Sequence, residues 1–158
     1  MLMTFGQYFV DIDAEKTRRF YERLRSVSEE CFCDGCRNFE KAVDTLPQSV
    51  KAFFSTLGID MKKACECYVN CKNEDGSLYY AGFYHLCGRL LEGKSAWRKI
   101  DENHAVFDET ETFSVADNFK ISFSKKINLL EDGFPQPVIQ LDFFATIPWV
   151  LEKANTYA

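Results

Sequence analysis

Three closely spaced cysteines are the residues of this sequence whose chemistry is most suggestive. Cys31, Cys33 and Cys36 lie within six residues, around an Asp-Gly turn. Thiolates bind zinc tetrahedrally, and short spacing lets one loop supply two or three of the ligands. Gly35 can help this turn bring Cys33 and Cys36 together, because glycine adopts backbone conformations that other residues avoid. The spacing therefore makes the turn a candidate structural zinc site, with these three cysteines as ligands.

The sequence leaves the fourth zinc ligand and two alternative interpretations open. The fourth ligand could come from a second group of cysteines or from two isolated residues, namely Cys65, Cys67, Cys71, His85 and Cys87. The spacing is not that of a zinc finger or ribbon, which would show two separated C-x2-C pairs. The first three cysteines could instead be free thiols. Alternatively, Cys33 and Cys36 could form a redox pair at the start of a helix, where thiol pKa values are lowered.

The second group of cysteines is better explained as part of a strand. Cys65, Cys67 and Cys71 are separated by even numbers of residues, which predicts that they share one face of a strand. A buried cysteine behaves as a small hydrophobic residue. We therefore expect these thiols, and the thiol of Cys87, to be structural.

An aromatic run from residue 79 to 84 is the second candidate functional region. Tyr80, Tyr84 and the adjacent His85, with Trp97 further along, could line a pocket for a small ligand or a groove for a protein partner. The alternative is that these residues simply form the two faces of a central strand. Only two histidines are available as catalytic bases, and no P-loop, G-x-G-x-x-G or H-E-x-x-H motif is present. Acid–base or nucleophilic catalysis therefore has little support.

The composition limits the size, location and partners of the protein. A length of 158 residues suits a single domain spanning residues 1–158, and 15 phenylalanines predict a Phe-rich core. A net charge of −5 disfavours nucleic-acid binding, which needs a basic surface. No segment has the roughly 20 apolar residues of a membrane span, and the N-terminus does not resemble a secretory signal. We therefore expect a cytoplasmic protein whose cysteines are reduced or bind metal.

Hydrophobic periodicity predicts helices in the first third of the chain and strands in the rest. Predicted helices cover about 14–28, 37–45 and 47–57, with a short turn at 61–64. Predicted strands cover 5–12, 65–71, 77–86, 119–124 and 138–147, and shorter ones lie near 106 and 113. This order is typical of an α+β fold, in which an N-terminal strand and three helices pack on a mainly antiparallel sheet. We expect the first strand to join the sheet beside the last one, and residues 120, 122 and 124 to face water.

Several short phrases in the sequence also resemble a known group of proteins. They are Val-Asp-Ile-Asp at 10–13, Cys-Arg-Asn-Phe at 36–39, Leu-Gly-Ile-Asp at 57–60, Gly-Phe-Tyr-His-Leu at 82–86 and Ile-Pro-Trp at 147–149. Together they resemble a family of uncharacterised bacterial proteins from gut anaerobes related to Clostridium. The resemblance implies a bacterial cytoplasmic protein with a single domain, and it implies no activity and no catalytic residue.

The sequence thus favours a non-catalytic cytoplasmic protein that binds another protein or a small ligand and carries a zinc ion at the cysteine turn. The alternative is a thiol-dependent redox protein or enzyme that uses the same cysteines.

Overall fold

Four helices pack on one face of a curved antiparallel sheet in the computed structural model, which describes residues 1–158. The helices are α1 (Ala14–Tyr21), α2 (Val27–Glu30), α3 (Asp34–Val43) and α4 (Gln48–Thr56). A short 3-10 helix, Met61–Lys63, leads from α4 into the sheet. The predicted α+β class is therefore confirmed. None of the helices combines the length and the apolar character needed to cross a lipid bilayer.

The sheet is organised around one long strand. The strands are β1 (Leu2–Phe5), β2 (Tyr8–Ile12), β3 (Glu66–Lys72), β4 (Leu78–Glu92), β5 (Trp97–Lys99), β6 (Ala105–Phe107), β7 (Phe113–Ala116), β8 (Phe119–Ser124) and β9 (Val138–Ile147). Along the sheet the order is β1-β2-β4-β9-β8-β7, while β5 and β6 form a separate hairpin. Strand β4 has 15 residues, so its first half pairs with β3 and its second half with β2, both antiparallel. The prediction that the first strand lies beside the last one is wrong, because β2 pairs with β4.

Apolar and polar side chains alternate along β9, and the helices pack on the face that carries the apolar ones. Ile139, Leu141 and Phe143 are almost completely buried on the helical face. The Phe143 ring centroid lies 5.7 Å from that of Phe39 in α3 and 5.5 Å from that of Tyr84 in β4. The predicted Phe-rich core is therefore confirmed, and it lies between the helices and the sheet.

The opposite face of the sheet carries polar side chains, and it is covered in part. The prediction that Ser122 and Ser124 face water is wrong, because they are only 0% and 6% exposed. The backbone N–H of Ala96, just before β5, donates to Ser122 Oγ over 2.8 Å. The N–H of Lys126, at the start of the loop between β8 and β9, donates to Ser124 Oγ over 3.0 Å. The β5–β6 hairpin and this loop therefore close two ends of the polar face.

The sheet curves so strongly that its two edges meet. Ring centroids of Phe5 in β1 and Phe113 in β7 are 5.7 Å apart. Gln7, in the β1–β2 turn, donates from Nε2 to the carbonyl oxygen of Glu111 over 2.6 Å. The Tyr8 hydroxyl lies 2.8 Å from that same carbonyl oxygen and 3.0 Å from Ser122 Oγ. These contacts tie the N-terminal hairpin to the strands at the far edge.

Several element boundaries differ from the sequence prediction for local reasons. The single strand predicted at 5–12 is a hairpin that turns at Gly6, whose φ of 59° favours glycine. The first helix ends at Tyr21, and the predicted second helix begins three residues early, at Asp34. Helix α4 ends as predicted, since Gly58 follows it with a φ of 79°. Strand β5 was not predicted.

Candidate functional site

The predicted zinc ligands come together at the junction between α2 and α3, and we call them the thiol cluster. The Sγ atoms of Cys31, Cys33 and Cys36 all lie within 4.8 Å of one another. Cys31 follows the last residue of α2, and Cys33 is the N-cap of α3, where its Sγ accepts the N–H of Cys36 over 3.4 Å. Sγ of Cys31 is 3.2 Å from Sγ of Cys33. Cys31 and Cys33 are exposed and Cys36 is buried, and none of the three forms a disulfide.

Gly35 fixes the thiol cluster against the rest of the protein. Its N–H donates to the Tyr157 hydroxyl over 2.9 Å, and its carbonyl accepts the Tyr80 hydroxyl over 2.7 Å. A Cβ atom at this position would lie 2.8 Å from the Tyr157 hydroxyl oxygen and 3.0 Å from Val69 Cγ2. The start of α3 can therefore pack this closely on the chain terminus and on β3 only because residue 35 has no side chain.

The thiols of this region differ in acidity. The pKa of Cys31 is lowered, first by the backbone N–H of Cys33 and then by the thiols of Cys33 and Cys36. Burial raises the pKa of Cys36. Burial also raises the pKa of Cys67 in β3 well above the usual range, and the neighbouring sulfurs of the thiol cluster raise it further. The thiol of Cys67 is therefore close enough to the thiol cluster to be affected by its charge, but it is not one of the sulfurs that lie within 4.8 Å of one another.

The three cysteines of the second group do not share one face of a strand, so that prediction is wrong. Cys67 pairs with Gly82, but the register shifts between Val69 and Cys71, and Cys71 pairs with Tyr79. A bulge of this kind sends the following side chains to the opposite face. Cys71 is consequently exposed.

A second group of metal-ligating side chains surrounds His85, and we call it the His85 cluster. Cys65 Sγ, a ring nitrogen of His85 and a carboxylate oxygen of Glu131 lie within 4.8 Å of one another. His85 Nδ1 is 2.6 Å from Glu131 Oε1, and Cys65 Sγ donates to the carbonyl oxygen of Leu129 over 3.2 Å. Burial, followed by the charges of Glu131 and Glu66, raises the pKa of Cys65 to about 12. The thiol is therefore protonated at neutral pH and is a poor nucleophile, because the thiolate is the reactive form.

A cavity of about 880 Å³ opens on the polar face of the sheet, and we call it the sheet cavity. Its aromatic lining is Tyr68, Phe83, Trp97 and Phe144, and its charged lining is Glu66, Lys99, Asp101, Glu102, Lys126 and Asp142. The tip of the β5–β6 hairpin forms one wall, where His104 Nδ1 lies 2.8 Å from Asp101 Oδ1. The volume is within the range of about 300–1,000 Å³ that is usual for small-molecule sites, but most of the lining residues are polar, whereas such sites usually have apolar walls.

Asp142 is the most unusual group in the sheet cavity. It is only 4% exposed. Its Oδ1 accepts the Gln140 side-chain N–H over 2.9 Å, whereas its Oδ2 is buried and has no hydrogen-bond partner in the protein. Burial raises the pKa of Asp142 to about 6. A buried carboxylate oxygen without a hydrogen-bond partner is costly, so a donor that reached Oδ2 would gain a strong interaction.

The structure distributes the predicted ligand-binding residues over both faces of the sheet. Trp97 lines the sheet cavity, and its ring centroid lies 5.8 Å from that of Phe144. His85 is fully buried next to the cavity, where Nε2 lies 3.2 Å from Gln140 Oε1. Tyr80 and Tyr84 are fully buried on the helical face, and Tyr84 donates from its hydroxyl to the carbonyl oxygen of Met61 over 2.7 Å.

The sequence prediction missed three polar residues that belong to these sites, namely Gln140, Asp142 and Glu131. The signal for the first two was present, because they interrupt the most apolar strand of the chain at alternate positions. Glu131 lies in the loop between β8 and β9, and no local pattern relates it to His85.

Comparison of the chain with protein-family models, curated proteins and solved structures finds no match.

Proposed function

We propose that this protein is a non-catalytic binding protein whose ligand is a small organic cation held in the sheet cavity. The observation that carries the proposal is the buried carboxylate of Asp142, whose Oδ2 has no protein partner. An ammonium group in the cavity beside Asp142 would compensate the negative charge of this carboxylate. A small rotation of the side chain would let it donate to Oδ2, which has less than 1 Å² of accessible surface. This proposal takes up the small-ligand alternative of the sequence prediction.

The lining of the sheet cavity supports a cation over an anion or a neutral ligand. The lining contains four carboxylates and two lysines, so its acidic groups outnumber its basic ones. Of the four carboxylates, only Asp101 is paired with a histidine, His104. Four aromatic rings line the same space. The face of an aromatic ring attracts a cation, by about 0.5–2 kcal/mol depending on how far the pair is removed from water. Carboxylate and aromatic groups together would therefore select an amine.

Three probes of nearly the same shape test this proposal, namely benzylamine, benzyl alcohol and benzoate, each titrated at pH 7.5 and followed by amide and indole NMR shifts. We expect benzylamine to shift the resonances of residues such as Phe83, Asp142 and Trp97, and to bind at least 10-fold more tightly than benzyl alcohol. Asp142→Asn should remove this preference, since it removes the charge and keeps the shape. Asp117→Asn, an exposed carboxylate in the β7–β8 turn, is the matched control.

Two outcomes would contradict the proposal. Equal binding of benzylamine and benzyl alcohol would show that charge does not select the ligand. The absence of any shift around the sheet cavity with all three probes would remove the cavity as a binding site.

A zinc ion at the thiol cluster is the structural part of the same proposal. Cys31, Cys33 and Cys36 would supply three thiolates. Cys67 is the candidate for the fourth ligand, because it is close enough for the charges of these sulfurs to raise the pKa of its thiol. His85 lies in the His85 cluster with Cys65 and Glu131. Cys87 lies against α1, where its backbone N–H donates a hydrogen bond to Thr17 Oγ1. The ion would hold α2, α3 and β3 together.

The alternative function, a thiol-dependent redox protein, is favoured by one observation. Cys31 and Cys33 are exposed, and their sulfurs lie 3.2 Å apart. Native alkylation by iodoacetamide separates the two functions. A redox protein would react quickly at Cys31 with or without added zinc, whereas a zinc site would react there only after a chelator has removed the metal.

A further inference from the structure

The His85 cluster joins three kinds of ligand that belong to distant parts of the chain. Cys65 precedes β3, His85 lies in the middle of β4, and Glu131 lies in the loop between β8 and β9. Their sulfur, nitrogen and oxygen atoms all fall within 4.8 Å of one another. Such a mixed set of sulfur, nitrogen and oxygen suits zinc and similar divalent ions.

Hydrogen bonds around Gln140 determine which nitrogen of His85 carries a proton. Gln140 Oε1 accepts the backbone N–H of Asn128 over 2.8 Å, and Gln140 Nε2 donates to Asp142 Oδ1 over 2.9 Å. These two bonds orient the amide, so the atom 3.2 Å from His85 Nε2 is an acceptor. Nε2 must therefore be the N–H of the ring, which leaves the lone pair of Nδ1 free in the neutral imidazole.

That lone pair points at a carboxylate. His85 Nδ1 lies 2.6 Å from Glu131 Oε1, which is the distance of a short hydrogen bond, so one proton lies between these two atoms. A tetrahedral zinc ion bound to both atoms would displace that proton and hold them about 3.3 Å apart. A histidine that binds metal characteristically donates its other N–H to an acceptor that holds the ring in place, as Gln140 does here. Glu131 Oε2 is buried and has no protein partner, so this carboxylate has unused ligand capacity.

We propose that Cys65, His85 and Glu131 bind one divalent zinc-like metal ion, at a site separate from the thiol cluster. The ion would displace two protons to solvent, the thiol proton of Cys65 and the proton shared by His85 Nδ1 and Glu131 Oε1, and would bind the thiolate, His85 Nδ1 and the Glu131 carboxylate. Glu131 belongs to the loop that covers one end of the polar face, so the ion would fasten this loop to β3 and β4. The site does not depend on the ligand of the sheet cavity or on zinc at the thiol cluster.

Zinc titration of metal-free protein tests this proposal, with bound zinc counted by native mass spectrometry. We expect Cys65→Ser to lower the count by one zinc per chain relative to the wild type, while Cys71→Ser leaves the count unchanged. Cys71 is the matched control because it is an exposed thiol on the adjacent strand, outside both clusters. Glu131→Gln is a milder second variant that keeps the size of the side chain, and we expect it to weaken this zinc at least 10-fold.

Further measurements assign the ion and specify how the proposal fails. With Co²⁺ in place of zinc, a variant with Cys31, Cys33 and Cys36 all replaced by serine should retain a thiolate-to-cobalt absorption band that disappears on adding Cys65→Ser. Equal zinc counts for wild type, Cys65→Ser and Glu131→Gln would overturn the proposal, and the close Nδ1–Oε1 contact would then be an imidazolium–carboxylate ion pair. Circular dichroism of each variant shows whether the protein is still folded, so that a lower zinc count can be attributed to the missing ligand and not to unfolding.

Discussion

At the scale of single residues, the carboxyl group of Asp142 links stability to pH. Burial raises its pKa from 3.8 to about 6, so the folded protein holds this proton more tightly than the unfolded chain does. A pKa raised in the folded state means that stability falls as the pH rises from about 4 to about 6, and the change corresponds to about 3 kcal/mol. Below about pH 4 the group is protonated in both states, and above pH 6 the full cost is present.

Replacing Asp142 by asparagine should remove this cost without changing the shape of the side chain. We expect Asp142→Asn to be more stable than the wild type above pH 6, with a difference that shrinks toward zero near pH 4. Urea unfolding at several pH values measures it, with Asp117→Asn as the exposed control. A stability difference that does not vary with pH would contradict the burial argument.

At the scale of elements, the start of α3 separates the capping role of Cys33 from its proposed metal-binding role. Cys33 caps α3 by accepting the N–H of Cys36. Serine is among the best N-cap residues, so in metal-free protein Cys33→Ser should leave stability unchanged or raise it slightly. With zinc bound, the same variant loses a ligand, and metal-binding energy contributes directly to folding.

We therefore expect Cys33→Ser to lower Tm only when zinc is present. A loss of about 2 kcal/mol would lower Tm by about 4–8 °C in a chain of this size. Differential scanning calorimetry with zinc and with a chelator measures the effect, and Cys71→Ser is the control. An equal Tm for wild type and Cys33→Ser in zinc would contradict the metal site.

The close packing around Gly35 at the start of α3 predicts that replacing this residue by alanine destabilises the protein. Alanine is favoured over glycine inside a helix by about 1 kcal/mol. Its Cβ, however, would lie 2.8 Å from the Tyr157 hydroxyl oxygen and 3.0 Å from Val69. Crowding of this kind costs about 1–3 kcal/mol, so we expect a net loss of stability in chemical denaturation. Adding Tyr157→Phe should recover part of it, and a stabilised Gly35→Ala would show that the terminus moves freely.

Elements whose signals are local were predictable from the sequence, and those that depend on distant partners were not. Helix α4 was predicted because its apolar stripe and Gly58 agree, and β9 because its alternation is regular. The cysteine turn was found as a group, since its ligands are adjacent in the chain. Glu131 and His85 are 46 residues apart, and only pairing of β4 with β9 and the covering loop bring them together. No local sequence pattern indicates the contact between His85 and Glu131.

At the scale of the whole molecule, curvature of the sheet gives the sheet cavity its shape. The N-terminal hairpin meets the far edge of the sheet through Phe5 and Phe113. Tyr8 lies at the centre of this closure, since its hydroxyl is within hydrogen-bonding distance of the carbonyl oxygens of Lys94 and Glu111 and of Ser122 Oγ. Lys94 begins the segment that leads into the β5–β6 hairpin, so this one hydroxyl joins three parts of the fold that surround the cavity.

Removing that hydroxyl should loosen both edges of the sheet together. We expect Tyr8→Phe to lose about 1–3 kcal/mol of stability, because it leaves buried polar groups without their partner. Amide hydrogen exchange should then quicken in the β1–β2 turn and in β7 at the same time, and benzylamine affinity should fall although Tyr8 does not line the sheet cavity. Tyr79→Phe is the control, since the Tyr79 side chain is half-buried and does not line the sheet cavity. Faster exchange in the N-terminal hairpin alone would show that the two edges of the sheet open independently.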